Sequence, residues 1–236
     1  MHFFECLQTK ETLVFNKYDL DIGISPEQYL SNLNSHMYSD ENGLGFSSLQ
    51  LDDNVIEANL IIRTPTSIKV YDPVNGMFLT NVVYLYDEVE IFIDLNLNLI
   101  YSTASIAKFN KAKTLLRNSL KSKIVFRNLD LSPIKLLRII ETLNLNPFIS
   151  DLTIRNFQYK EGASGRYTVH IDSPYIGNEL LSMYNENVSK VCIKLESSQF
   201  ADFTLSNSSQ NSITLKSQEC DFWSIVNLLD YGRSAL

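Results

Sequence analysis

The chain has 236 residues, 44% of them hydrophobic and 11% aromatic, with a formal net charge of −7 and a pI near 5.0. That composition supplies a core for one large domain or two small ones and excludes general disorder. It also excludes indiscriminate coating of nucleic acid, because most faces of an acidic protein repel a polyanion.

The N-terminal stretch MHFFECLQTKETLVF has no basic leader before an apolar core, so no secretory signal is expected there. No run approaches the ~20 apolar residues of a bilayer span. Cys6, Cys192 and Cys220 are isolated and make no CxxC frame, which predicts a reducing, cytoplasmic setting.

Three Ser-Pro pairs punctuate the chain, at Ser25-Pro26, Ser132-Pro133 and Ser173-Pro174. Each places a capping hydroxyl before a proline suited to the first helical turn. Apolar residues then recur at helical spacing, so each pair predicts a short helix. The most loop-like stretch is SHMYSDENGLGFSS, residues 35–48.

Val55 to Tyr101 reads as at least four extended runs, VIEANLIIR, SIKVYD, FLTNVVYLY and VEIFID, followed by NLNLIYS. Asp72-Pro73-Val74-Asn75-Gly76 is a turn signal among them. A longer helix is expected from about Ser105 to Leu120, with Ile106, Phe109, Ala112, Leu116 and Leu120 inward. The pairs DLTIRNFQY with RYTVHID and VCIKLES with FADFTLS, then SITLKS, predict more antiparallel sheet. A last helix is expected over 219–231, stopped by Gly232.

The fold class expected is α+β: largely antiparallel sheet with about five short to medium helices packed on one face. Two subdomains are expected, a mainly β part over 1–94 and an α+β part over 95–236.

Signatures of chemistry are sparse. The histidines, His2, His36 and His170, form no HExxH frame, and there is no GxxxxGK[ST] or GxGxxG. No cofactor and no metal are therefore expected. His170 and Asp172 share a strand face, which predicts a surface pair before a catalytic one. Glu88, Glu90 and Asp94 also share one face, a set able to hold Mg²⁺ for phosphodiester chemistry. A solvated face of an amphipathic strand is the blander account of the same spacing.

Charge segregation is the strongest signal. Residues 108–138 hold nine of the 20 Lys and Arg and only one acid, Asp130, for a local charge of +8. The other 205 residues, with eleven cations against 26 acids, carry −15. Lys108, Lys111, Arg117, Lys121, Lys123, Arg127, Lys135 and Arg138 are the candidate binding residues, as electrostatic contacts to nucleic acid or an acidic protein partner.

The leading expectation is thus a non-enzymatic cytoplasmic binding or accessory subunit, of a kind that suits a bacterial defence or mobile-element system alongside a partner enzyme. Self-association through the edge of NVVYLYDEVEIFID is the alternative, and a metal-dependent phosphodiesterase is the third.

Overall fold

In the computed structural model the described residues are 11–20, 24–121, 124–129, 131–142, 147–195, 203–209 and 211–216. They contain eleven strands and four α-helices, an α+β fold that is mostly strand. The helix expected over 219–231 lies outside the described residues.

The chain divides into two compact units, Lys17–Arg127 and Met1–Asn16 with Asn128–Leu236. Strand β1, Glu11–Leu20, contributes its first half to one unit and its second half to the other.

In the unit Lys17–Arg127, α1 spans Pro26–Asn34, β2 Leu44–Asp52, β3 Val55–Asp72, β4 Met77–Asp94, β5 Leu99–Ser102, α2 Ile106–Ser119 and β6 Ile124–Arg127. The strand order is β2-β3-β4-β5-β1, and β6 also pairs with β1. The core joins Phe46, Ile56, Leu60, Ile91 and Ile93 of the sheet to Phe109, Ala112 and Leu116 of α2 and Tyr29 and Leu33 of α1, all buried. Ser25 caps α1 in a full capping box with Gln28. Gly45 is required on β2 because a Cβ there would lie 2.4 Å from the Cα of Tyr38.

The four extended runs expected between Val55 and Asp94 are two strands of 18 residues each. Pro65 does not divide β3, because β2 stops pairing at Ile62. Beyond that point β3 has one neighbouring strand among the described residues, and an edge strand tolerates a missing N–H. At the turn, Asp72 Oδ1 accepts from the Val74 and Asn75 amides at 2.9 and 3.3 Å, and Gly76 takes a φ of +65°.

In the other unit, α3 spans Pro133–Thr142, β7 Pro147–Lys160, β8 Ala163–His170, α4 Pro174–Met183, β9 Val188–Leu195, β10 Phe203–Ser209 and β11 Ser212–Lys216. The order is β1-β11-β10-β9-β7-β8. Ser132 Oγ accepts from the Lys135 amide at 3.3 Å, as a cap should. Ser173 makes no side-chain cap bond, so the third Ser-Pro pair starts its helix through proline alone. Gly177 lets α4 approach β7: a Cβ there would lie 2.8 Å from the Cβ of Ile149.

Candidate interaction surfaces

The basic segment is distributed over both units. Lys108, Lys111, Arg117 and Lys121 belong to α2 or its end and Arg127 to β6, in the unit Lys17–Arg127; Lys135 and Arg138 lie on α3 of the other unit. Lys123 lies outside the described residues.

Two of these cations are committed to carboxylates. Lys108 Nζ donates to Asp87 Oδ1 at 2.7 Å, and Arg127 Nε stands 2.7 Å from Asp19 Oδ2. Arg117 lies over the Phe126 ring, 5.0 Å from its centroid. Beside it Lys113 is 5.0 Å from the centre of Phe109; burial and the Arg117 charge pull its ammonium pKa down. Lys111, Arg117 and Lys121 have no carboxylate at ion-pair distance among the described residues. Ile106, expected inward, is 59% exposed, and the covered stripe of α2 starts at Phe109 and includes Leu115.

The acidic strand departs from the expected solvated face. Glu88 and Glu90 are exposed, but Asp94 is only 3% exposed. Its Oδ1 accepts from the Asn96 and Leu97 amides, both at 2.9 Å, to cap the turn between β4 and β5. No group of three or more His, Cys, Asp or Glu able to hold a metal ion occurs among the described residues.

His170 is exposed, with its Nδ1 2.9 Å from Asp151 Oδ1 and its Nε2 3.6 Å from Asp172 Oδ1. The nearer partner, Asp151, comes from the antiparallel pairing of β7 with β8 and carried no signal in the sequence. Ser150 Oγ donates to the other Asp151 oxygen at 2.8 Å.

The largest feature that the sequence reading underrated is the outer part of the β3–β4 hairpin. From Thr64 to Leu85 these strands pair, among the described residues, only with each other, within the register Arg63↔Tyr86 through Asp72↔Met77. The result is a two-stranded ribbon with no further strand on either edge among the described residues. Its two faces differ. One carries Arg63, Lys69, Tyr71, Phe78, Val82, Tyr84 and Tyr86, with the Arg63 guanidinium 4.5 Å above the Tyr84 ring and Tyr71 packed on Phe78.

The opposite face carries Ile68, Val70, Met77, Leu79, Val83 and Leu85, with Thr64, Thr66 and Asn81 between them. Alternation places it on the side of Leu60, Ile62, Val89 and Ile91, which are buried nearer the base. Beyond the base the same stripe is largely exposed: Ile68, Val70, Met77, Leu79 and Leu85 all stand open. Asp72 is its one charged residue, and that carboxylate is held in the turn.

A second hairpin, β7–β8, also has an exposed outer part. Phe157 stacks on Tyr167 with centroids 4.9 Å apart and meets Tyr184 at 5.7 Å. An open concavity of about 430 Å³ is lined by Phe157, Tyr159, Ala163, Ser164, Gly165, Arg166 and Tyr167.

No helix among the described residues is long and apolar enough to cross a membrane. No protein-family model matches the chain, and no curated protein matches it.

Proposed function

We propose that this chain is a complex-building protein that self-associates through the aliphatic face of the β3–β4 ribbon. The observation that supports the reading is that aliphatic stripe, the outward continuation of a buried face, exposed on a two-stranded ribbon and charged only at its tip, where Asp72 is held in the turn. An isolated two-stranded ribbon is marginal in water and needs a covering layer. Exposed apolar patches of this extent mark association sites.

A second copy is the occupant that fits best. Its one charge, Asp72, sits at the tip with its carboxylate engaged by the turn amides, so no charge lies among the aliphatic side chains to clash across a two-fold axis. Six large apolar side chains, most of them about half exposed, present on the order of 500 Å² per copy, and a face-to-face stack buries about 1,000 Å², the least that a specific interface requires. The other face, with Arg63, Lys69 and three tyrosine hydroxyls, is suited to remain wet.

Sedimentation velocity and light scattering across a concentration series test this. A dimer is expected for the unmodified chain and a monomer for Leu79→Lys/Val83→Lys. Val82→Lys, on the opposite face, leaves the dimer intact. A chain that is monomeric throughout, or a dimer that survives Leu79→Lys/Val83→Lys, defeats the proposal.

The second reading keeps the electrostatic role of α2. Lys111, Arg117 and Lys121, on a helix with no acid of its own, support contact with nucleic acid or an acidic protein through counterion release or charge complementarity. Here the expected result is binding that weakens with salt and disappears in folded Lys111→Glu/Arg117→Glu/Lys121→Glu.

A further inference from the structure

The outer part of β7–β8 carries more exposed aromatic surface than a hairpin needs. The Phe157–Tyr167 pair is an ordinary cross-strand contact and stabilises the ribbon. Tyr159 is different: it is 77% exposed, with Lys160 Nζ 5.8 Å from the ring centre. Among the described residues no ring stacks on it, so its aromatic face is left to solvent.

The space beside these rings is open. Gly165 pairs with Phe157 across the ladder. Its φ is not in the left-handed region, and a Cβ built on it would meet nothing within 4 Å. Neither backbone conformation nor crowding therefore demands a glycine. Gly165 lines the open concavity together with Ala163 and Ser164, so the lining opposite the aromatic rings is built from small residues. At about 430 Å³ the concavity falls within the range of ordinary ligand sites.

The charge around it is the reverse of the chain's own. Arg155, Lys160 and Arg166 are all exposed; Arg166 lines the concavity, Lys160 Nζ is 5.8 Å from the Tyr159 ring centre, and between Arg155 and Tyr167 the one acid is Glu161. Flat π-faces with a cationic border match a ligand that is planar in one part and anionic in another. A single strand of nucleic acid joins the two, since every base offers a π-face and every linkage a negative charge.

We propose that the β7–β8 tip is a base-stacking platform for single-stranded nucleic acid. A base lies on Tyr159 and in the recess beside Phe157, and Arg166, with Arg155 and Lys160, meets the flanking phosphates. This goes beyond the self-association reading and does not rest on it, because it concerns the other compact unit and different residues.

The test is fluorescence anisotropy of the full chain with labelled oligo-dT, oligo-U and a duplex of the same length, over a range of salt. Expected are tighter binding to the single strands, a loss of about ten-fold or more in Tyr159→Ala, and near-full affinity in Tyr159→Phe. Gly165→Val, which fills the recess, should weaken binding without changing thermal stability, and Arg166→Glu should flatten the salt dependence. The platform is overturned by no binding at low salt, by equal affinity for duplex, or by unchanged affinity in both Tyr159→Ala and Gly165→Val. Binding that survives those two variants and vanishes in Lys111→Glu/Arg117→Glu/Lys121→Glu assigns the contact to α2 instead.

Discussion

Lys108 Nζ and Asp87 Oδ1 stand 2.7 Å apart, tying the first turn of α2 to β4 just where the ribbon leaves the sheet. Both side chains are more than a third exposed, so water and salt screen the pair and its contribution is small. Asp87→Asn is expected to cost about 0.5 kcal/mol, read as a shift in the midpoint of urea unfolding. It also releases a cation beside Lys111. If α2 contacts polyanions, Asp87→Asn should strengthen that binding at low salt, and unchanged affinity would count against Lys108 as a contact.

The ribbon can associate by face or by edge, and the two differ in their amides. A face-to-face stack leaves the outward amides of Met77–Tyr86 exchanging with solvent, whereas strand addition at the β4 edge would protect them. Hydrogen exchange should show rapid exchange of those outward amides in the dimer and slowed exchange only at the base, where β5 pairs with Phe92–Asp94. Uniform protection along the outer edge would favour edge pairing.

The His170–Asp151 pair makes stability depend on pH in a defined direction. Its hydrogen bond and ion pair with Asp151 raise the His170 pKa above 6.5. Burial pushes Asp151 up, but hydrogen bonds from His170 and Ser150 outweigh it and the net shift is downward from 3.8. A raised histidine contributes below its unfolded pKa and loses that contribution as pH rises through the folded value. A lowered aspartate contributes above its unfolded pKa and loses its contribution as pH falls through the folded value. The pair therefore stabilises most between about pH 4 and 6.5 and fades above that range. Thermal melts of the unmodified chain and His170→Gln should differ most near pH 5.5 and converge above pH 8. An offset that does not change with pH would contradict this.

Tyr29 is buried on α1, and its hydroxyl has no hydrogen-bond partner among the described residues. Burial also raises its pKa. A buried polar group left unpaired costs free energy, so removing it should help. Tyr29→Phe is expected to raise stability by up to about 1 kcal/mol in chemical denaturation. A loss of stability would show that the hydroxyl has a partner, such as a bound water.

Gly45→Ala should act in the opposite sense. The added carbon meets the backbone of Tyr38 and Met37, with contacts of 2.4 to 2.7 Å that no rotamer change relieves. A cost of about 3 kcal/mol or more is expected, visible as a lower melting temperature or as insoluble protein.

Much of the layout was legible because local chemistry decided it. Ser25-Pro26 with Gln28 specifies a helix start without tertiary help, and DLTIRNFQY and RYTVHID pair as antiparallel neighbours across the tight turn at Gly162. What could not be read depended on neighbours. Thr64-Pro65 looks like a strand break unless it is known that β2 ends at Ile62 and leaves the edge open. The alternation in FLTNVVYLY assigns residues to two faces, but only the three-dimensional structure shows that both are largely exposed. Asp94 resembles its neighbours Glu88 and Glu90 by spacing, yet its carboxylate is buried in a turn. The basic run 108–138 is contiguous in sequence, whereas its members fall in two compact units and Lys108 and Arg127 are held by acids.

Strand β1 has a consequence for the order of events during synthesis. Thr12 meets Thr214 across the β1–β11 ladder, 202 positions away. The unit that contains this ladder cannot close until β11 has left the ribosome. Lys17–Arg127 draws its pairings from one uninterrupted stretch and can form much earlier. The first half of β1 must therefore wait, with Leu13 and Phe15 unsatisfied, beside a unit that is already folded. A chain truncated before Ser212 would keep the ribbon and α2 but leave Glu11–Val14 without their β11 partners, an open edge able to pair with other chains.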